Sequence, residues 1–168
     1  MRWNGGGSSN TAYAILAALI DKPFLTSREV MRSYNPTKRA WGESMSFTES
    51  PAQPYSLKGS GYSSKPIVVL AGASTYSAAE DFLVAWKSSG RGKSVGEPTG
   101  GSTGQPLFFS LPGGGSARIC TKRDTFPDGS EWVGKGIEPD VVVRPTIASI
   151  RGGQDPVLDA AVKLLGLN

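Results

Sequence analysis

Six residues, Pro66-Ile-Val-Val-Leu-Ala71, form an apolar and largely β-branched run with no polar interruption, and the run stops at Gly72-Ala-Ser-Thr-Tyr-Ser77, where a helical pattern takes over. A run without alternation reads as a strand covered on both faces. Ala79, Phe82, Leu83 and Trp86 then recur at helical spacing through about Ser88, and Gly90-Arg-Gly-Lys-Ser-Val-Gly96 turns the chain into a second short strand. Strand, helix and strand in this order make a crossover, whose usual host is a parallel sheet. The expected class is therefore α/β, with a mostly parallel central sheet and flanking helices.

The other segments can be arranged around that unit. Ser8 to Thr11 offer N-cap residues for a helix carrying Ala12, Ile15, Leu16, Leu19 and Ile20, which Pro23 ends. Phe24 to Tyr34 alternates loosely as a strand, and residues 35–64, rich in Ser, Pro, Gly and Tyr, read as a long surface loop. Leu107 to Leu111 and Ala117 to Lys122 flank Pro112-Gly-Gly-Gly115 as a hairpin, and Val141 to Val143 adds a strand. Asp155 and Pro156 open a last helix along Val157, Leu158, Ala161, Val162 and Leu165. With 168 residues, 38% of them hydrophobic, the chain suits a single domain over 1–168. Met1-Arg-Trp-Asn-Gly-Gly-Gly7 opens at once on a glycine turn with no strand leading into it. The expectation is a fragment lacking its N-terminal part, and the sheet edge this would leave open predicts a homodimer.

Several function classes are disfavoured. The net charge is +4, but the basic residues are scattered, with only Lys38-Arg39, Arg91-Gly-Lys93 and Lys122-Arg123 as small groups, so no nucleic acid partner is expected. No apolar stretch approaches the ~18 residues of a membrane span, and the N-terminus lacks the pattern of a signal peptide. The chain has no histidine and one cysteine, and Glu80, Asp81, Glu97 and Asp140 lie in separate elements, so no metal site is expected and these acids should cap, pair or face solvent. Cys120, in an alternating run, reads as a buried structural thiol. Gly96 to Gly104 lacks the residue order of a phosphate loop, and no cofactor is expected.

A serine at a strand-to-helix junction has its hydroxyl beside free helix N-H groups, a placement that suits a nucleophile whose oxyanion needs donors. Ser77 stands there, and the amide of Ala78 follows it. A plain N-cap, completed by Glu80 as a capping box, explains the same residues. Beyond Ser77, two more glycine loops, Asn4 to Gly7 and Gly96 to Gly104, should gather with it at the carboxyl edge of a parallel sheet, where such sheets place their ligands. Gly6 or Gly7 could then supply a second amide opposite Ala78, and Ser102 and Glu80 would line the site.

The order Arg2-Trp-Asn-Gly-Gly-Gly7, Lys65-Pro-Ile-Val-Val-Leu70, Thr75-Tyr-Ser-Ala-Ala-Glu80, Gly96-Glu-Pro-Thr99 and Gly136-Ile-Glu-Pro-Asp-Val141 resembles the catalytic domain of the carboxy-terminal processing (tail-specific) proteases and their tricorn-like relatives. The resemblance implies a crotonase-like, ClpP-like β-β-α core, a polypeptide substrate, Ser77 as nucleophile with Ala78 and Gly6 or Gly7 as oxyanion hole, and a place in the bacterial cell envelope. In the processing proteases the loop that begins Gly-Glu-Pro-Thr runs on to a lysine base, and Ser102 stands in that place here. A serine cannot take the proton that a lysine would. The tricorn-like branch draws a histidine from a preceding part of the chain. The resemblance therefore implies a serine peptidase whose general base lies outside this chain, so that these 168 residues alone are nearly inactive. Two alternatives stand beside it: a catalytically inactive peptide-binding module on the same fold, and an acyl-CoA enzyme of the crotonase type.

Overall fold

A computed structural model describes residues 1–56 and 64–167. In chain order the elements are α1 (Ser9–Ala17), β1 (Phe24–Leu25), β2 (Arg28–Ser33), α2 (Pro36–Ala40), β3 (Ser46–Ser50), β4 (Pro54–Tyr55), β5 (Val68–Ala71), α3 (Ala78–Ser89), β6 (Lys93–Gly96), β7 (Leu107–Ser110), β8 (Ser116–Ile119), β9 (Lys122–Thr125), β10 (Val141–Val142), α4 (Ile147–Arg151) and α5 (Pro156–Leu164).

The apolar run becomes β5 and the crossover forms as its pattern requires. β5 pairs in parallel with β6, Val69 opposite Ser94 and Ala71 opposite Gly96, and β6 pairs in parallel with β10, in the order β10-β6-β5. The other sheets are antiparallel: β1-β4, β3-β2-β9 and the β7-β8 hairpin. The protein is thus mixed α/β. Among the described residues, parallel pairing is confined to one three-stranded sheet, because only the crossover and the return at β10 bring strands together in the same direction.

Helix α3 connects β5 to β6 and is enclosed on nearly every side. Its residues from Ala78 through Trp86 are all buried, and Trp86 and Val84 are fully so. Leu16 and Ile20 from α1 and its C-terminal turn, Phe24 of β1, Val69 and Ala71 of β5, and Trp132 and Ile137 complete the core around it. Apolar area removed from water stabilises at roughly 25 cal/mol per Å², so this sleeve of large side chains is the main force holding the helix head in place. Enclosure has a second effect, because Glu80 and Asp81, in the first turn of α3, are carried into the interior with it. At the far end of the chain, Asp155 caps α5 by accepting from the Leu158 amide (3.0 Å) and receives the guanidinium of Arg2 on both carboxylate oxygens. This fastens the opening segment onto the closing helix.

Three expectations need correction. Residues 35–64 are not a bare loop: Asn35 caps α2 through its side chain, Pro36 takes the first helical position, and β3 pairs antiparallel with β2. These elements are largely exposed, so no burial pattern marks them in the sequence; residues 57–63 lie outside the described residues. Phe24 to Tyr34 divides into β1 and β2, which join different sheets. Cys120 is exposed, not buried. It follows β8 in a hairpin whose Leu107, Phe108, Phe109 and Ile119 are all exposed, so alternation there marks pairing without a covered face.

Candidate active site

Ser77 ends the turn that leaves β5. The Thr75 amide donates to the Gly72 carbonyl (2.8 Å), the Thr75 hydroxyl donates to the Met1 carbonyl (3.0 Å), and the Tyr76 amide donates to the Asn4 carbonyl (3.1 Å). The last two bonds draw the opening glycine segment against the turn. Ser77 itself has φ 55 and ψ −128, a backbone conformation that non-glycine residues rarely adopt, and it is held there at a cost of about 1–3 kcal/mol.

What holds it is Glu80. Its carboxylate is fully buried and accepts from four donors: the Thr99 hydroxyl (2.5 Å), the Gly101 amide (2.8 Å), the Ser102 amide (2.9 Å) and the Ser77 amide (3.2 Å). The Ser77 amide also donates to the Ser102 carbonyl (2.9 Å). One side chain thereby sews the Gly96 to Gly104 loop to the head of α3. The capping-box pairing of Ser77 with Glu80 is present, but the Glu80 amide goes to the Ser77 carbonyl (2.7 Å), so the hydroxyl carries no full capping bond.

The three glycine-bearing loops converge as expected. A Cβ placed on Gly6 would stand 2.7 Å from Ser77 Cβ, 2.8 Å from the Tyr76 carbonyl oxygen and 3.2 Å from the Ala78 nitrogen, and Gly6 has φ +106. Only glycine fits at that contact. The Gly6 amide donates to Asn4 Oδ1 (2.9 Å). By contrast, the amides of Gly7 and Ala78 have no acceptor among the described residues. Both line, with Ser77, a cleft of about 430 Å³ that continues past Asp81, Thr103 and Lys122. Ser102 meets Ser77 through its backbone, next to the cleft rather than on the cleft wall.

Lys122, Asp124 and Glu29 were not singled out as site residues by the sequence, and Asp81 was expected to cap, pair or face solvent. Glu29 and Asp124 are directly opposed in the β2–β9 register, a like-charge pairing that would repel. Lys122 relieves it, donating to Glu29 Oε1 (2.6 Å) and lying 2.9 Å from Asp124 Oδ1. Asp81 Oδ2 accepts from the Ser9 hydroxyl (2.6 Å). Burial pushes the Asp124 carboxyl up to about 6 against the opposing pull of Lys122, and burial likewise raises Asp81 against its bond from Ser9. Burial alone would lower the Lys122 ammonium, but Glu29 and Asp124 outweigh it and raise it. Lys122 therefore stands in the cleft as a firmly protonated cation. Asp140, another acid of the sequence reading, accepts from the amide (2.7 Å) and hydroxyl (2.6 Å) of Ser94 and pairs with Lys87, away from the cleft.

This fold, with its enclosed helix and converging loops, is that of a mixed α/β peptidase domain. The chain belongs to peptidase family S41, whose model matches residues 1–143. Among solved structures, it is similar to a candidate peptidase from Parabacteroides merdae, at 26% identity and a TM-score of 0.77 over 98% of this chain and 50% of that one. It is also similar to the photosystem II D1 C-terminal processing protease (25% identity, TM-score 0.57, 99% and 38% of the two chains). Mature CPAF shares the fold at 19% identity and a TM-score of 0.74, over 96% and 41%. The chain thus spans half or less of the length of these proteins. Among the described residues, no helix is long and apolar enough to cross a membrane.

Proposed function

We propose that this chain is a serine-type peptidase core, built on a crotonase-like β-β-α unit, that hydrolyses polypeptides through an acyl-enzyme at Ser77. The observation that carries the reading is the coincidence, on one cleft, of Ser77 in a strained turn at a helix head and two amides, of Gly7 and Ala78, that lack an acceptor among the described residues. In this reading Ser77 Oγ attacks the carbonyl carbon of the scissile peptide, and the oxygen that becomes negative accepts from the Ala78 and Gly7 amides. Gly6 is the close-packed spacer that brings the second loop within reach. The amine leaves with a proton, and water then hydrolyses the ester.

The proton of Ser77 needs a base. Lys122 shares the cleft but is held protonated by Glu29 and Asp124, and Ser102 presents a hydroxyl where the family's lysine would be. The base is accordingly supplied from outside these residues, and the 168-residue chain alone has almost no activity. Strong proteolysis by this chain alone, lost in Ser77→Ala, would overturn that part of the reading.

The absent lysine and histidine favour a second reading, a binding module that holds extended peptides without cutting them. A fluorophosphonate probe on the full-length protein separates the two. Peptidase function predicts labelling at Ser77 that Ser77→Ala abolishes, with peptide hydrolysis falling by at least about 10³-fold in the same variant. An unlabelled Ser77 in the full-length protein would leave only the binding module.

A further inference from the structure

Two charged residues, Asp81 and Lys122, line the cleft beside Ser77, and Glu29 and Asp124 lie behind Lys122. Lys122 is the single cation lining the cleft among the described residues, and its ammonium is already engaged by Glu29 and Asp124. Asp81 remains over. Its side chain lines the cleft, the residue is only 4% exposed, Oδ2 is occupied by the Ser9 hydroxyl, and Oδ1 has no hydrogen-bond partner among the described residues. The Thr103 hydroxyl stands close enough to favour the charged form but outside hydrogen-bond geometry. Among the other residues that line the cleft, Gly7, Asn10, Thr103, Gln105 and Pro106 carry no charge to compensate it. A buried carboxylate oxygen without a donor costs free energy until something supplies one, and the missing group must be a donor, preferably a cation.

We infer that Asp81 selects substrate: the Ser77 cleft takes a polypeptide segment with a lysine or arginine side chain beside the reacting carbonyl, and that cation pairs with the Asp81 carboxylate. The inference rests on the peptide-cleft reading of Ser77 but not on its chemistry, since selection by charge would operate in a binding module as well. Asp81 is one turn into α3, on the same helix head as Ser77, so a side chain that reaches it leaves its own carbonyl near the serine. The recognition is also asymmetric. An acidic side chain would meet Asp81 on the cleft wall, beside a lysine whose charge is already shared with Glu29 and Asp124.

The test separates binding from cleavage. In the full-length protein carrying Ser77→Ala, peptides capped at both ends and differing at one position (Lys, Arg, norleucine or Glu) are compared by fluorescence anisotropy. Capping removes the terminal amine, so any preference belongs to the side chain. Lys and Arg peptides should bind about tenfold or more tighter than norleucine, with Glu weakest. Adding Asp81→Asn should bring Lys down to the norleucine level and leave norleucine where it was. Equal binding of Lys and norleucine, or a preference that survives Asp81→Asn, overturns the inference. The ranking in protein with Asp81 intact decides the matter even if Asp81→Asn fails to fold. Failure of fluorophosphonate to label Ser77 would count against the peptidase reading alone.

Discussion

Two acidic networks flank Ser77, one behind its turn at Glu80 and one along the cleft at Asp81, and they are built on opposite terms. On the Glu80 side, one carboxylate accepts from four donors. On the Asp81 side, Asp124, Asp81 and Glu29 face a single ammonium, and Asp81 Oδ1 has no donor. The two acids are adjacent in sequence, on the same helical turn, and equally enclosed by the core. What separates them is where the neighbouring loops end: backbone amides of the Gly96 to Gly104 loop are aimed at Glu80, while Asp81 has the Ser9 hydroxyl on Oδ2 and no hydrogen-bond partner on Oδ1 among the described residues. A fully satisfied buried network rigidifies, and an unsatisfied buried group costs free energy until a partner is supplied. The Glu80 network positions Ser77, and in the proposed function the Asp81 side is left for the substrate.

The largest break in this comparison is Glu80→Ala. It leaves buried donors on Thr99, Gly101 and Ser102 without an acceptor and opens a cavity, so unfolding free energy from denaturant titration should fall by about 3–5 kcal/mol. A loss under about 1 kcal/mol would mean that Glu80 does not hold this network together.

The next effect contrasts two consecutive glycines. Gly6→Ala puts a methyl against Ser77 and Tyr76 and should cost about 2–4 kcal/mol, whereas Gly7→Ala meets open space and suffers only its backbone strain at φ +143, about 1–2 kcal/mol. Equal losses would remove the argument that Gly6 is the contact point of the two loops.

Local signals explain what the sequence disclosed. The unbroken run at Ile67 to Ala71, the helical stripe of Phe82 and Trp86, the glycines of the β7–β8 turn and the Asp155–Pro156 cap each depend on neighbours a few residues away, and all can be read in one dimension. α2 and β3 escaped because exposed elements carry no burial period. The Asp81 network escaped for a different reason. Glu29, Asp81 and Lys122 come from β2, α3 and β9, and only the antiparallel register of β2 with β9 and the packing of α3 bring them together. Lys122 in the sequence is half of an ordinary basic pair. The capping box at Ser77 and Glu80 shows a third case: the motif was legible, but a cap and a site have the same spelling.

The Asp81 network also predicts a pH signature opposite to that of the Arg2–Asp155 clamp. Asp124 has a folded pKa of about 6, above the ordinary value near 3.9, so its protonated form is favoured in the folded state. Its contribution to stability is present below about pH 4 and is lost as the pH rises through 6, a change of about 2–3 kcal/mol that Asp124→Asn should flatten. Asp155 is depressed to about 2, chiefly by its bonds from Arg2, so its contribution is present above about pH 4 and is lost as pH falls through 2. Thermal unfolding between pH 2 and 8 should show the two limbs, and only the upper one should shrink in Asp124→Asn, to the part contributed by the raised Asp81 carboxyl.

The smallest effect is the most local. Ser77 at φ 55 stores strain that a Cβ causes and that Glu80 and the Asn4 to Gly7 loop oppose. Ser77→Ala keeps the Cβ and the strain, while Ser77→Gly removes both, at the price of a more flexible unfolded chain. Both variants lose the hydroxyl, so their difference isolates the backbone: Ser77→Gly should be more stable than Ser77→Ala by about 1 kcal/mol in matched denaturant curves. If the alanine variant equals or exceeds the glycine variant, the turn is not strained, and the well-bonded network is holding Ser77 in a conformation it would adopt unaided.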